Sequence, residues 1–413
     1  MNSSLFIAKK IISAGKSSKR NSQTIIKIAT YGTILSTVIM ILTIFISHGF
    51  KENILSKVKG FSSNFNIINY DANSSFDFSP IILKEGTKER ILNIDGIKSI
   101  SGFITKPAII KFKGNIEGVI LKSYSDSIDY NFFKSSIIKG KFPNFRNNEF
   151  LISQEISNQL ELKIGDKALL YFIQNPIRYR KLKVSGIYKT DIYDFDHIFA
   201  VVDINISRKI NSWNANQVSG YEIKTLDNNE SNLIQEHIQR IIKPQFFQKA
   251  EPTQNLKVLS TKDQYPDFYF WFDLFDTNVI IIISLMVAVA VINLISALLI
   301  VIIENTNKVG LLKAFGADNT TIRKIFIYIS LYLTIKGVLW GNIIALIISF
   351  IQNKYHLIPL DAEHYFISYV PVSFDWFALF ILDLITILII SLTLLIPSNY
   401  ISKVSPIKVI KFN

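Results

Sequence analysis

The sequence predicts a polytopic α-helical membrane protein with four transmembrane helices and a large α+β periplasmic domain between helices one and two. Three observations carry this. Four apolar runs with at most two charges each cover the ~20 residues that a membrane-crossing helix needs. Lys and Arg crowd the flanks of some runs and avoid others, which assigns a side to each loop. Between the first and second runs, residues 48–277 break into short alternating segments punctuated by turn residues. Composition agrees: 49% hydrophobic against 19% charged residues is too apolar for disorder. Cysteine is absent, which excludes a disulfide framework, a thiolate zinc site, an iron–sulfur cluster and a cysteine nucleophile. The formal charge of +13 reads as loop bias of a membrane protein, with no nucleic acid as partner.

Residues 1–27 form a cytoplasmic segment with Lys9, Lys10, Lys16, Lys19, Arg20 and Lys27 and no acid. Leu5, Phe6, Ile7, Ile11 and Ile12, interleaved with Lys9 and Lys10, predict a basic amphipathic helix on the cytoplasmic leaflet. Ala14-Gly15-Lys16-Ser17 imitates the end of a phosphate-binding loop. The glycine that loop requires would fall at Lys10, and no strand precedes it, so ATP is not bound there. The first span is 28–47. Its apolar core is too long for a signal peptide and Ser47-His48-Gly49-Phe50 is a poor cleavage site, so it reads as an uncleaved anchor with the N-terminus inside.

The domain at 48–277 predicts strands at Ala108–Lys113, Val119–Leu121, Ala168–Phe172 and Lys181–Tyr188. Turns are expected at Lys113-Gly114-Asn115, Gly140–Asn144, Gly165-Asp166 and Asn175-Pro176, and helices at Glu89–Ile94, Gln154–Leu160 and Asn232–Ile242 with Ser231 as N-cap. Ala168–Val184 reads as a hairpin whose tip carries Asn175, Pro176, Arg178 and Arg180. Tyr265–Phe275 is an aromatic stretch suited to an interfacial belt.

The second span is 278–303 and the third 325–351, joined by a cytoplasmic loop at 304–324 with Lys308, Lys313, Arg323 and Lys324. A short loop at 352–373 has one base, Lys354, against Asp361, Glu363 and the adjoining Asp375. The fourth span is 374–396 and the tail 397–413 is cytoplasmic, with Lys403, Lys408 and Lys411. In the cytoplasmic loop a helix of about Lys308–Phe315 ends at Gly316, and Asp318 or Asn319 caps the next helix. Val309, Leu312 and Phe315 are expected to form an apolar ridge that docks into a soluble partner. Lys336 and Asp383 lie near the centres of the third and fourth spans and are expected to pair.

No catalytic constellation emerges. His48, His197, His237, His356 and His364 have no metal-ligand spacing, Asp191, Asp194, Asp196 and His197 read as a polar loop, and no G-x-S-x-G elbow occurs. No metal, cofactor or enzymatic activity is expected.

Several segments resemble the FtsX/MacB-like ABC permease superfamily, and within it the lipoprotein-releasing LolC/LolE family. They are Leu5-Phe6-Ile7-Ala8, Ser47-His48-Gly49-Phe50, Gly140-Lys141-Phe142-Pro143, Asn148–Ser153, Leu162–Asp166 and Lys183–Tyr188. The most specific is Glu304–Ala317, similar to the family's coupling segment, and Pro397 to Lys411 is similar to the family's ending. The resemblance implies a non-catalytic permease subunit, dimerised with itself or a sister, driven by a separate ABC ATPase dimer through mechanotransmission. Glu304, Lys308, Val309, Leu312, Lys313, Phe315 and Gly316 would couple to that ATPase. A lipoprotein would be extracted from the inner membrane and passed to a periplasmic carrier, which Asn175, Pro176, Arg178 and Arg180 would meet. Extraction removes acyl chains worth ~0.8 kcal/mol per CH₂ from the bilayer, so an apolar path is required. Periodicity nominates Thr33, Ser36, Thr37 and Met40 of the first span and Met286, Ala290 and Asn293 of the second, with Phe268 and Trp271 at the mouth. Alternatives are peptide or small-molecule export, cell-wall hydrolase control, or a membrane-anchored binding protein without ATP coupling.

Overall fold

A computed structural model of the 413-residue chain describes residues 3–14, 20–70, 76–124, 130–144, 148–226, 232–243, 255–361, 365 and 367–393. The expected N-cap Ser231 and the tail motif lie outside the described residues. The helices are α1 (Ser3–Ala14), α2 (Arg20–Phe61), α3 (Glu85–Leu92), α4 (Asn131–Ser136), α5 (Gln154–Leu160), α6 (Tyr193–Asp196) and α7 (Ile204–Asn211). They continue with α8 (Asn232–Ile242), α9 (Thr261–Gln264), α10 (Pro266–Glu304), α11 (Thr306–Ala314), α12 (Asn319–Tyr355) and α13 (Trp376–Thr393). The strands are β1 (Phe65–Asn69), β2 (Ile97–Phe112), β3 (Asn115–Tyr124), β4 (Ile137–Gly140) and β5 (Glu149–Ser153). Then come β6 (Lys167–Phe172), β7 (Arg178–Tyr188), β8 (Phe199–Asp203), β9 (Gly220–Thr225) and β10 (Leu256–Ser260). Two units separate, one of residues 1–52, 272–359 and 370–413, the other of residues 53–271 and 360–369.

The first unit holds the four long apolar helices. Within α2, α10, α12 and α13, each is long and apolar enough to cross a membrane. α2 and α10 are longer than the runs expected from hydropathy: α2 is one unbroken helix of 42 residues, about 63 Å at the α-helical rise. Small residues set the packing. A Cβ on Gly337 would fall 2.6 Å from Thr33 Cγ2, and one on Gly341 would fall 2.6 Å from Thr37 Cβ. The two glycines are four apart, the small-xxx-small arrangement that lets membrane helices approach closely without a hydrophobic driving force. Gly49 serves a second approach: a Cβ there would lie 2.8 Å from the Pro371 carbonyl. Ser373 N–H donates to the Phe45 carbonyl at 3.1 Å, so the segment before α13 lies on α2. Nearby, Phe50 rings Phe275 at 5.7 Å and Lys51 pairs with Asp276. The Ser47–Phe50 motif is thus a packing motif. α1 packs on α12 through Ala8, with Leu5 and Phe6 exposed as an amphipathic helix requires.

The second unit is a ten-stranded sheet with α-helices on it. Six of its strands close on themselves: β2 pairs β3, β3 pairs β8, β8 pairs β5, β5 pairs β7, β7 pairs β6, and β6 returns to β2. Closure removes free edges. The barrel interior is filled by Ile110, Leu121, Phe150, Ile152, Leu170 and Val184 with α5 and α7 residues. The N-terminal part of β2 instead pairs β9, which leads on to β1 and β10. This flank packs α3 and α8 through Ile91 and Ile238 over Phe65, Ile67 and Ile223. The Lys113-Gly114 turn has φ of +48° and +98°, both in the left-handed region that a two-residue hairpin between β2 and β3 demands.

The expected strands all appear within longer ones, except that β2 ends at Phe112 and Lys113 belongs to the turn. Helices α5 and α8 have the expected bounds. The helix expected at Glu89–Ile94 begins earlier, at Glu85, because Gly86 and Thr87 are tolerated in an exposed first turn.

Candidate functional site

The loop between α10 and α12 is built around a broken helix. Asn305 ends the run: its side-chain amide donates to the Val301 carbonyl at 2.8 Å, and Lys308 Nζ donates to its Oδ1 at 2.9 Å. α11 then runs to Ala314 and Gly316, with φ +88°, closes it as the sequence predicts. Asp318 caps α12, accepting from Thr321 N–H at 3.1 Å. That bond and the Thr320 hydroxyl hold its acid at about 2. The face that α11 presents differs from the expected ridge. Val309 is buried against Ile302, Ile322 and Phe326, Gly310 is buried beside it, and Leu312 is half-buried. The exposed stripe is Glu304, Lys308, Leu311 and Phe315, with Leu311 60% and Phe315 81% exposed. Phe315 of the expected ridge is exposed, whereas Val309 turns inward because it packs with the neighbouring helices.

In the membrane helices the nominated polar residues face inward. Thr33, Ser36, Thr37 and Met40 are buried, two of them against the α12 glycines. Thr33 and Thr37 return their hydroxyls to carbonyls one turn back. Ala290 is buried. Asn293 donates to the Ala29 carbonyl at 3.4 Å, against Gly32. Met286 packs with Val38 and Phe45. None of these lines an open path within the chain. The exposed residues are bulky: Ile28, Tyr31 and Leu35 on α2, and Ile281, Leu285, Val289 and Ile292 on α10. Small and hydroxyl side chains buy close helix contact, which turns them inward and leaves the large aliphatic face outside. Phe268 is buried, its ring 6.4 Å from Phe195 in the sheet unit, and Trp271 is half-buried.

The β6–β7 hairpin forms with Phe172 opposite Arg178. Arg178 does not project. Its guanidinium donates to the Lys209 and Ile210 carbonyls at 2.7 and 2.6 Å and to the Ser212 hydroxyl at 2.9 Å, closing the C-terminal end of α7. Gln174 donates to the same Ile210 carbonyl. What projects is apolar: Ile173 is 75%, Ile177 69% and Tyr179 63% exposed, around exposed Asn175 and Pro176. Arg180 is half-buried and turns its guanidinium to the Tyr179 carbonyl.

Residues 280–406 match the family of the FtsX-like permease C-terminal region, which takes in α11, α12 and α13. The C-terminal part of the chain is thus similar to the FtsX-like permeases. Over nearly its whole length it is similar to the lipoprotein-releasing system transmembrane protein LolC of Neisseria meningitidis, 20% identical with 96% of this chain and 97% of that protein covered. LolE of Haemophilus influenzae is 22% identical, with 79% of this chain and 80% of that protein covered. The periplasmic region of MacB from Actinobacillus actinomycetemcomitans superposes with a TM-score of 0.35 at 10% identity, over 51% of this chain and 95% of that one. Over most of its length the chain is thus similar to LolC and LolE, permease proteins of lipoprotein-releasing systems, and four of its helices are long and apolar enough to cross a membrane.

Between α12 and α13 the expected Lys336–Asp383 pair is not formed. Asp383 accepts from Asn342 Nδ2 at 2.6 Å across α12 and α13. Lys336 is exposed, six residues back along α12 and therefore on another face. Asn342 was the missed partner, the one amide inside the third apolar run. In the Asp191–His197 stretch, expected as a polar loop, Tyr193–Asp196 form α6 with Phe195 and Asp196 buried. Asp191 pairs with Lys57 at 2.9 Å and Lys189 at 2.8 Å. Asp196 accepts from Thr190 N–H, Thr190 Oγ1 and Asp191 N–H. Burial outweighs these donors and pushes its acid up to about 6. Among the described residues no group of His, Asp and Glu could hold a metal.

Proposed function

We propose that this chain is a permease subunit that extracts lipoproteins from the inner membrane and passes them to a periplasmic carrier, driven by an ABC ATPase dimer and paired with a second permease subunit. The observation that carries the reading is the likeness to LolC, which spans both chains almost end to end and so includes the periplasmic domain as well as the spans. Two features of the chain support it. The exposed Leu311–Phe315 stripe on a short cytoplasmic helix is an apolar knob of the kind a groove on an ATPase accepts. The apolar tip at Ile173 and Ile177 suits a carrier that must itself present an acyl-binding surface. ATP-driven closure would act on α11 and move α10 and α12, which flank it in the chain.

The test is purification of the tagged permease in mild detergent with mass spectrometry of co-purified proteins and lipopeptides. Lipoproteins and a nucleotide-binding subunit, both lost in Phe315→Asp, are the expected result. An ATPase recovered with peptides or a hydrolase in place of lipoproteins would move the cargo to the alternatives. No ATPase at all would overturn the reading.

A further inference from the structure

The sheet unit contains a cavity of about 520 Å³, within the ~300–1,000 Å³ range of small-molecule sites. Its walls are mixed, with Ile68, Phe76, Phe78, Phe103, Phe199 and Leu259 forming the larger apolar part and Asn66, Asn69, Thr105 and Gln264 among the polar groups. Tyr70 and Phe76 are exposed and form its rim. One charged wall residue is deeply buried. Lys122, on β3 and 5% exposed, places its ammonium among aromatic rings, 4.5 Å from the Phe61 centroid, 5.2 Å from Tyr124 and 5.8 Å from Phe103. Nζ donates to the Phe61 carbonyl at 2.9 Å and pairs with Glu222 Oε1 at 2.9 Å.

A buried ion pair in such a wall is poor stabilisation, since a hydrophobic pair of similar volume does as well or better. Burial opposes both charges, lowering the Lys122 pKa and raising that of Glu222. The ammonium has three donors, and these contacts leave one for the cavity. Lys257 adds a second positive charge to the wall. The acidic wall residue, Asp263, is already engaged by Ser260 N–H, Ser260 Oγ and Gln235 Nε2.

From this we infer that the cavity binds the alkyl chain of a long-chain carboxylate, with the carboxylate accepting from Lys122. The apolar part of the walls takes the chain, and the cation–π cage keeps the ammonium in place when the site is empty. The site is separate from the coupling helix, and the inference does not depend on lipoprotein being the cargo.

The experiment uses the full chain in phosphatidylcholine nanodiscs with palmitic acid bearing a diazirine, and maps the photolabel by mass spectrometry. Labelling is expected on the peptides holding Phe76, Phe103 and Leu259, displaced by palmitate and not by hexadecane. Leu259→Trp fills the cavity, leaves the ion pair intact and should abolish the label. Lys122→Met with Glu222→Leu removes both charges together, so no uncompensated charge stays buried. It should weaken labelling about tenfold, the value of one charge-assisted hydrogen bond. Undiminished labelling of Leu259→Trp, equal labelling of the double variant, or displacement by hexadecane as effective as by palmitate would each overturn the inference. Should the double variant not fold, the competition and Leu259→Trp decide alone. Displacement by a diacyl phospholipid only, with free palmitate inert, would overturn the carboxylate in favour of an ester.

Discussion

Gly337 and Gly341 set how near α12 comes to α2. Each stands where a Cβ would collide with a threonine at 2.6 Å, and the threonines are fully buried. Gly341→Ala must therefore displace a helix or strain Thr37, at a cost of about 1–3 kcal/mol. Thermal unfolding in detergent should show the drop, and Thr37→Ser should relieve part of it by removing the methyl. An additive double variant would mean that the two positions do not meet. A second residue sets a pH dependence. The folded protein holds the Asp196 acid at about 6, whereas the ordinary value is 3.8. The folded state therefore binds more protons than the unfolded chain across that window, and stability falls as pH rises through it. Asp196→Asn should flatten the loss between about pH 4 and 6, read from unfolding midpoints. Equal slopes in the two proteins would assign the dependence to other groups.

At the scale of elements, α11 and the β6–β7 hairpin each offer an exposed apolar face next to a buried one. Leu311→Asp and Phe315→Asp should remove ATPase co-purification and leave the unfolding midpoint within about 1 °C, since both side chains face outward. Val309→Asp should instead destabilise the helical unit, because it puts a charge into the cluster with Ile302 and Ile322. Ile173→Ser with Ile177→Ser should leave folding intact and weaken cargo transfer to a soluble acceptor, measured as lipoprotein released from proteoliposomes. Unchanged release would remove the hairpin from transfer. These two elements also show what the sequence can reveal. The helix, its Gly316 stop, its Asp318 cap and the hairpin were legible, because each depends on neighbours in the chain. The outward faces were not. Val309 is drawn inward by Ile322 and Phe326 of α12, and Arg178 is drawn to α7 by carbonyls more than thirty positions away, information that local patterning does not carry. The same limit applied to Thr33 and Thr37: their period was visible, but the glycines that turn them inward belong to another span. Strand positions were legible by alternation, while barrel closure, a matter of β6 reaching both β2 and β7, was not.

At the scale of the whole molecule, four apolar helices and a sheet domain inserted between the first two follow from hydropathy and charge alone. The insertion makes α2 and α10 the covalent links to that domain, and α2 runs about twice the ~30 Å hydrocarbon thickness without a break. Lys51 and Asp276 join these two helices by side chains. For a pair this exposed, a double-mutant cycle should give a coupling of only about 0.2–1 kcal/mol, weakening with salt. A larger, salt-independent coupling would refute that assignment. Finally, β2 belongs to two cores at once: Ile110 faces the barrel interior and Ile104 the flank under α3 and α8. A rod common to two rooms cannot be withdrawn from one alone. The domain has no half that could survive by itself, so it should melt in one step. Amides of Leu170 and Ile223 should then exchange with deuterium through one common opening, and fragments ending inside β2 should recover neither core.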